Sequence, residues 1–198
     1  MPKFRLETFT DGVIAILITI MVLELHTPAG TSWRALGHEL PVLLAYVLSF
    51  VYLGIYWNNH HHMLAAVSRV SGATLWANLN LLFWLSLVPF STAWMSEHHF
   101  PSTPTAFYGI VLLGAAIAYY ILQTTLLRAE GEKSRLRAAI GSDVKGKISP
   151  LLYCVAIGLA FADRWISLAV YVAVALMWLV PDRRVERHLT AVHTEPAE

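Results

Sequence analysis

The stretch RLETFTDGVIAILITIMVLEL, residues 5–25, decides the fold. A membrane-spanning helix needs about 20 mostly apolar residues. Between Asp11 and Glu24 this stretch is apolar except for Thr19. Yet it opens with Arg5, Glu7 and Asp11 and closes with Glu24. Charge at the centre of a bilayer costs on the order of 2.5–3.5 kcal/mol per residue by insertion scales, so it marks a function or a partner. Arg5 and Glu7 can sit in the headgroups. Asp11 lies about one helical turn deeper and needs a partner from another helix.

The whole chain reads the same way. Of its 198 residues, 57% are hydrophobic and 14% charged, where a soluble domain has about a quarter charged. Mean hydropathy is +0.56. The composition points to one all-α integral membrane domain, residues 1–181, with a polar tail, 182–198. Six apolar runs are expected to span: roughly 4–25, 39–67, 73–96, 105–127, 148–161 and 164–180. Turn-rich segments separate them, among them HTPAGTSW (26–33) and HHFPSTPT (98–105), where Thr103 or Thr105 would cap the fourth helix. The long polar stretch 128–147 carries Leu136, Ala139 and Ile140 at the spacing of a short amphipathic surface helix.

Positive charge sets the orientation. With six spans and a cytoplasmic N-terminus, twelve of the 14 Lys and Arg residues fall inside, and Arg34 and Arg164 fall outside. Both termini are therefore expected in the cytoplasm. Trp33, Trp94 and Trp165 suit an outer interfacial belt. The single cysteine, Cys154, excludes an intrachain disulfide and is expected to be a small core residue.

Within the first helix, Ile16, Ile20 and Leu23 are spaced i, i+4, i+7 and share one face, with Thr19 on its flank. Such a stripe ordinarily packs or meets lipid. Around a symmetry axis, rings of Ile and Leu would form a constriction that gates by dewetting. The run His60-His61-His62 invites a metal reading, but adjacent helical residues point about 100° apart, so the three cannot meet one ion. A buried hydrogen-bonding role suits one or two of them, with Arg5, Asp11, Asn58 or Asn80 as candidate partners. Because histidine titrates near pH 6.5, sensitivity to pH is also expected there. No Ser-His-Asp, GxGxxG or P-loop pattern points to an enzyme or nucleotide site. Phe161-Ala162-Asp163 has no Arg four residues before it, so it does not mark a second copy of the first helix.

Arg5, followed after three residues by Phe9-Thr10-Asp11, resembles the RxxxFSD motif of the transmembrane protein 175 family, with Thr10 in place of Ser. YWNNHHHML (56–64) and LLFWLSLVPFSTAW (81–94) are similar to that family's second and third helices. The resemblance implies a potassium channel of the prokaryotic, single-repeat kind. It would be a homotetramer of six-helix subunits with the first helices around a central pore. The constriction would fall on Ile16, Ile20 and Leu23, and potassium preference would be associated with Thr19. Nothing here resembles a TVGYG carbonyl filter. Arg5, Phe9, Thr10 and Asp11 would join His60, His61 and Asn80 in a network holding the first helix, and Glu24 would stand at the outer mouth. The implied setting is a bacterial or archaeal plasma membrane, with potassium ions and lipid as partners and no cofactor, metal or nucleic acid. Two other readings remain open. One is a proton-coupled secondary transporter using Asp11 and His60–His62, against which no internal inverted repeat or pair of broken helices is visible. The other is a metal-dependent intramembrane enzyme, which lacks a second ligand motif.

Overall fold

The computed structural model describes residues 2–131 and 143–179. Among these the chain is helical. Helix α1 is Lys3–Met21, extended by a 3-10 turn, Val22–Glu24. A short α2, Trp33–His38, leads into α3, Leu40–Ala65. Then come α4, Gly72–Ser86, and α5, Val88–Glu97. The long α6 is Ser102–Glu130, and α7, Val144–Leu159, and α8, Arg164–Leu179, complete the described part.

Four segments are long and apolar enough to cross a membrane: Lys3–Glu24, Leu40–Ala65, Gly72–Glu97 and Ser102–Glu130. They match the first four expected spans to within a few residues. The third is one span built from two helices. Pro89 lacks an amide hydrogen and its ring opposes the carbonyl of Leu85, so the chain breaks at Leu87 and restarts as α5. Helices α7 and α8 have 16 described residues each. At 1.5 Å per residue that is about 24 Å, short of the roughly 30 Å hydrocarbon layer. The expected surface helix around Leu136 and the tail 182–198 lie outside the described residues.

The capping chemistry is local. Ser71 and Thr74 form a reciprocal capping box at the start of α4. Asp143 caps α7 by accepting the Gly146 amide. Helix α6 differs from expectation: it begins at Ser102, behind Pro101, with no side-chain cap. Thr105 is instead buried inside its first turn. Pro104 falls within that turn, where a missing amide hydrogen costs nothing, so neither Thr103 nor Thr105 has to start the helix.

Helix α6 is the hub. It packs against α4, α5, α7 and α8. One apolar core joins α1, α3, α4 and α6 through residues such as Ile14, Leu53, Leu81 and Leu122. A second joins α3, α6, α7 and α8 around Tyr52, Tyr108, Tyr153 and Tyr171. Two glycines let α6 approach its neighbours closely. A methyl group at Gly114 would run into the Trp84 ring, and one at Gly109 would meet the Tyr171 hydroxyl and Ile157. Trp33 and Trp165 are exposed, as interfacial residues would be, while Trp94 packs against Phe90 and Phe107. Cys154 is exposed rather than buried. On α7 it follows Tyr153, which takes the inward position, so Cys154 is rotated about 100° away from the core.

Helix α1 lies at the margin of the bundle, mainly against α3 and α4. Its buried residues are Leu6, Thr10, Ile14, Leu17 and Met21, one narrow stripe at spacings of four and three. Everything else on the helix is partly or fully exposed within one subunit.

Gly109→Ala is expected to destabilise the protein by about 1–3 kcal/mol, because the Tyr171 ring it displaces is fully buried. Gly158→Ala, where an added methyl meets nothing within 4 Å, should leave stability unchanged or slightly raised. Thermal unfolding of the two purified variants measures the difference.

Candidate functional site

The charged start of α1 is fastened to α3 by a ladder. The two helices run antiparallel, so ascending positions on one meet descending positions on the other. The Lys3 ammonium donates to the carbonyls of Leu64 (2.9 Å) and Val67 (3.1 Å). One turn later, Glu7 Oε1 stands 3.2 Å from His61 Nδ1. One turn further, the Trp57 indole donates to Asp11 Oδ1 at 3.0 Å. Positions 3, 7 and 11 thus meet 64/67, 61 and 57. The lysine also neutralises the carbonyl end of α3, where a cation is favoured by the helix dipole.

Behind this ladder runs a buried polar chain. Asn78 Nδ2 donates to the Thr10 hydroxyl at 2.9 Å, and its Oδ1 lies 2.9 Å from His60 Nε2. With the amide so oriented, His60 Nε2 carries the hydrogen and donates it. All three side chains have zero exposure, and His60 Nδ1 has no partner among the described residues. Thr10 is therefore the one polar position of the buried α1 stripe, and Asn78 is what satisfies it.

The α3–α4 linker is gripped from the other side by Glu130 at the end of α6. Its Oε1 accepts the amides of Ser68 and Arg69 and the Ser68 hydroxyl. Lys3 and Glu130 thus hold the same short linker from two helices.

The expected site residues fall into three groups. Thr10, Asp11, His60 and His61 come together with their partners as described. Arg5 and Phe9 are exposed on α1, and the Arg5 side chain makes no hydrogen bond or ion pair among the described residues. Asn80 is half-buried and makes no side-chain hydrogen bond among the described residues. Ile16, Ile20 and Leu23 are exposed, 56%, 42% and 78%, on the side of α1 turned away from its neighbours. Thr19, beside them, donates its hydroxyl to the carbonyls of Ala15 (3.1 Å) and Ile16 (2.9 Å), which leaves its oxygen outward. Glu24 ends the 3-10 turn and is exposed. The three consecutive histidines diverge: His60 inward to Asn78, His61 to Glu7, and His62 edge-on to His61. Among the described residues no three His, Cys, Asp or Glu side chains converge on one point.

Glu7, Trp57, Lys3 and Asn78 were not among the expected network residues. Two signals for them exist in the sequence. An antiparallel pairing of the first two spans sets 3, 7 and 11 against 64, 61 and 57. In α4 the apolar stripe Ala77, Leu81, Leu85 runs through position 78 and leaves position 80 off the stripe.

Residues 5–89, which contain the Glu7 and Asp11 rungs of the ladder and the Thr10–Asn78–His60 chain, match a family model described as the endosomal/lysosomal potassium channel TMEM175. A potassium channel from Chryseobacterium sp. (strain P1-3) is 53% identical over 189 residues, covering 96% of this chain and 98% of the relative. The chain belongs to the TMEM175 family. A potassium channel from Streptomyces collinus is 33% identical, over 88% of this chain and 90% of its own length. The crystal structure of a lysosomal potassium-selective channel TMEM175 homolog from Chamaesiphon minutus superposes with a TM-score of 0.72 at 30% identity, covering 90% of this chain and 96% of that one. The bovine endosomal/lysosomal proton channel TMEM175 is 28% identical, and the match covers 33% of it. The chain thus matches bacterial TMEM175 proteins over nearly their whole length and about a third of the bovine one. TMEM175 is a family of ion channels, not of enzymes.

Asn78→Ala would strand the Thr10 hydroxyl and the His60 Nε2–H in a dry interior. It is expected to cost at least about 2 kcal/mol. Asn80→Ala, which breaks no bond, should stay within about 0.5 kcal/mol of the parent. Thermal melts of both, with the yield of assembled protein by size-exclusion chromatography, separate these outcomes.

Proposed function

We propose that this chain is the subunit of a potassium channel whose gate is the exposed stripe of α1. The observation that carries the reading is the two-sidedness of that helix. One narrow stripe is buried and fastened to α3 and α4. An exposed flank presents Ile16, Ile20 and Leu23 away from the described residues of the subunit. Four copies placed around an axis would turn this side inward, as three apolar rings. Water leaves a narrow apolar ring readily, and an ion cannot pass without water or a replacement for it.

Thr19 would supply the replacement. Its hydrogen is committed to the helix's own carbonyls, so a ring of four Thr19 oxygens would face the axis as acceptors only. That suits a cation shedding part of its hydration, and potassium sheds it more cheaply than sodium. No carbonyl filter is needed. Glu24, at the end of the helix, would raise the local cation concentration at the outer mouth. The ladder of Lys3, Glu7 and Asp11 would fix the rotation of α1, and so the direction in which the rings point. Arg5 and Phe9, exposed within the subunit, would meet a neighbouring copy.

The same reading places six spans in each subunit, α7 and α8 being the last two, with both termini in the cytoplasm. Residues 1–181 form the membrane domain and 182–198 a cytoplasmic tail. The positive-inside distribution supports this orientation, and the plasma membrane of a prokaryote is the fitting location. The potassium-channel names of the similar Chryseobacterium and Streptomyces proteins support the choice of ion.

Purified protein in liposomes is expected to pass potassium in preference to sodium, and Ile16→Asn to raise the flux severalfold by wetting the constriction. An unchanged flux in the variant would remove the gate from Ile16. Asp11→Ala should lower the yield of the assembled oligomer, since Trp57 then faces α1 without an acceptor. Cross-linking before gel filtration reads that yield.

A further inference from the structure

The glycine at position 12 is not explained by the fold of the subunit. Glycine is among the least favourable residues in a helix interior, and Gly12 lies well inside α1, Lys3–Met21. It does not hold a left-handed backbone, as Gly131 does. Nor does it admit a close neighbour. At Gly109 and Gly114 an added methyl would run into Tyr171 and Trp84, whereas at Gly12 it meets nothing within 4 Å among the described residues. Gly12 is exposed. What its missing side chain serves therefore lies outside these packing contacts.

Its place on α1 narrows the choice. At 100° per residue, Gly12, Ile16, Thr19 and Ile20 fall within one arc of about 100°. Gly12 thus continues the exposed stripe, about 6 Å to the N-terminal side of Ile16. Thr8, also exposed, lies one further turn along the same face. A helical side chain covers the turn N-terminal to its own Cα, so the absence of one at Gly12 uncovers the carbonyls of Thr8 and Phe9. Each carbonyl oxygen keeps a second lone pair beyond its helix bond. The surface in front of Gly12 is therefore recessed and rich in acceptors, beside branched apolar side chains. Ile16 and Ile20 project from the same arc and hold a neighbouring backbone away, which argues against a close helix–helix seam built on small residues. An ion arrives at a narrow apolar ring with its water and cannot carry all of it through. It needs a place beside the ring where the hydration shell still fits. We infer that Gly12 is a conductance-determining residue: its copies leave a water-filled chamber on the N-terminal side of the Ile16 ring, where a hydrated potassium ion waits with its water donating to the Thr8 hydroxyl and the uncovered carbonyls. The inference rests on the reading of α1 as the pore helix. Gly12 sets how fast ions reach the gate, and the choice between ions stays with Thr19.

The test fills the chamber in the full-length protein and reads single-channel conductance in planar bilayers, beside melting temperature and the yield of assembled oligomer. Gly12→Ala should keep assembly and keep or raise the melting temperature, because alanine is the better helix former, yet lower the potassium conductance. Gly12→Leu should lower it severalfold, with the preference for potassium over sodium unchanged. Adding Gly12→Leu to Ile16→Asn should cancel most of the flux that Ile16→Asn gains, since chamber and gate act in series. Gly12→Cys in a Cys154→Ser background should react in proteoliposomes with a methanethiosulfonate carrying a trimethylammonium group, and Ile14→Cys, at a buried position, should not. If Ile16→Asn raises the flux but both Gly12 variants conduct as the parent does, the chamber is wrong and the gate stands. If neither Ile16→Asn nor Gly12→Leu changes the flux, the pore reading fails and the chamber with it. Loss of the assembled oligomer in Gly12→Ala would assign the glycine to contact between copies and overturn the proposal. An unreactive Gly12→Cys would overturn it as well, because no water would then reach position 12.

Discussion

A carboxylate carried into hydrocarbon stays there only if another helix brings it a hydrogen. Asp11 is met by the indole of Trp57, 3.0 Å away. Much else about α1 follows from that requirement. An indole donor two-thirds of the way along α3 fixes the register of two antiparallel helices. Once Asp11 and Trp57 are paired, Glu7 falls beside His61 and Lys3 beneath the end of α3 without further adjustment. Register in turn fixes rotation. Thr10 is carried inward to Asn78, and the Ile16–Leu23 stripe is carried outward. A single apolar helix at the edge of a bundle would otherwise be free to roll, because lipid tails discriminate poorly between one apolar face and another.

The polar groups beneath the ladder serve the same end at higher stakes. Thr10, Asn78 and His60 have no contact with solvent, and each hydrogen bond there is worth more because the alternative is an unpaired group in a low dielectric. Apolar packing along Leu6, Ile14, Leu17 and Met21 holds α1 against its neighbours but tolerates small slips. The hydrogen-bonded chain does not. The division is between adhesion, supplied by area, and position, supplied by a few directional bonds.

Much of this was legible in the sequence. Four spans were readable because twenty apolar residues in a row have few other uses, and the exposed stripe was readable because α1 has one helical period throughout. The interruption of the third span was less so. Pro89 announces a disturbance, but whether it bends a helix or restarts one depends on what packs nearby, here α6 with its glycine at 114. Asn80 was expected in the network where Asn78 is found, because composition names the residue type and only the helical stripe names the position. Cys154 was expected inside because cysteine usually is. In a membrane protein the outside is also apolar, so hydrophobicity ceases to distinguish core from surface.

The linker between α3 and α4 has a mechanical meaning. Lys3, at the first turn of α1, holds it by the Val67 carbonyl and the end of α3 by the Leu64 carbonyl, and Glu130, at the last turn of α6, holds it by two amides and a hydroxyl. The two anchors are 127 residues apart in sequence, yet they share one short piece of backbone between them. The linker is thus a yoke. A shift of the α1 end along the membrane normal must either break the lysine's bonds or drag the yoke, and with it the glutamate and the end of α6. Strain at the N-terminal end of one helix is thereby delivered to the hub of the bundle rather than lost in the bilayer.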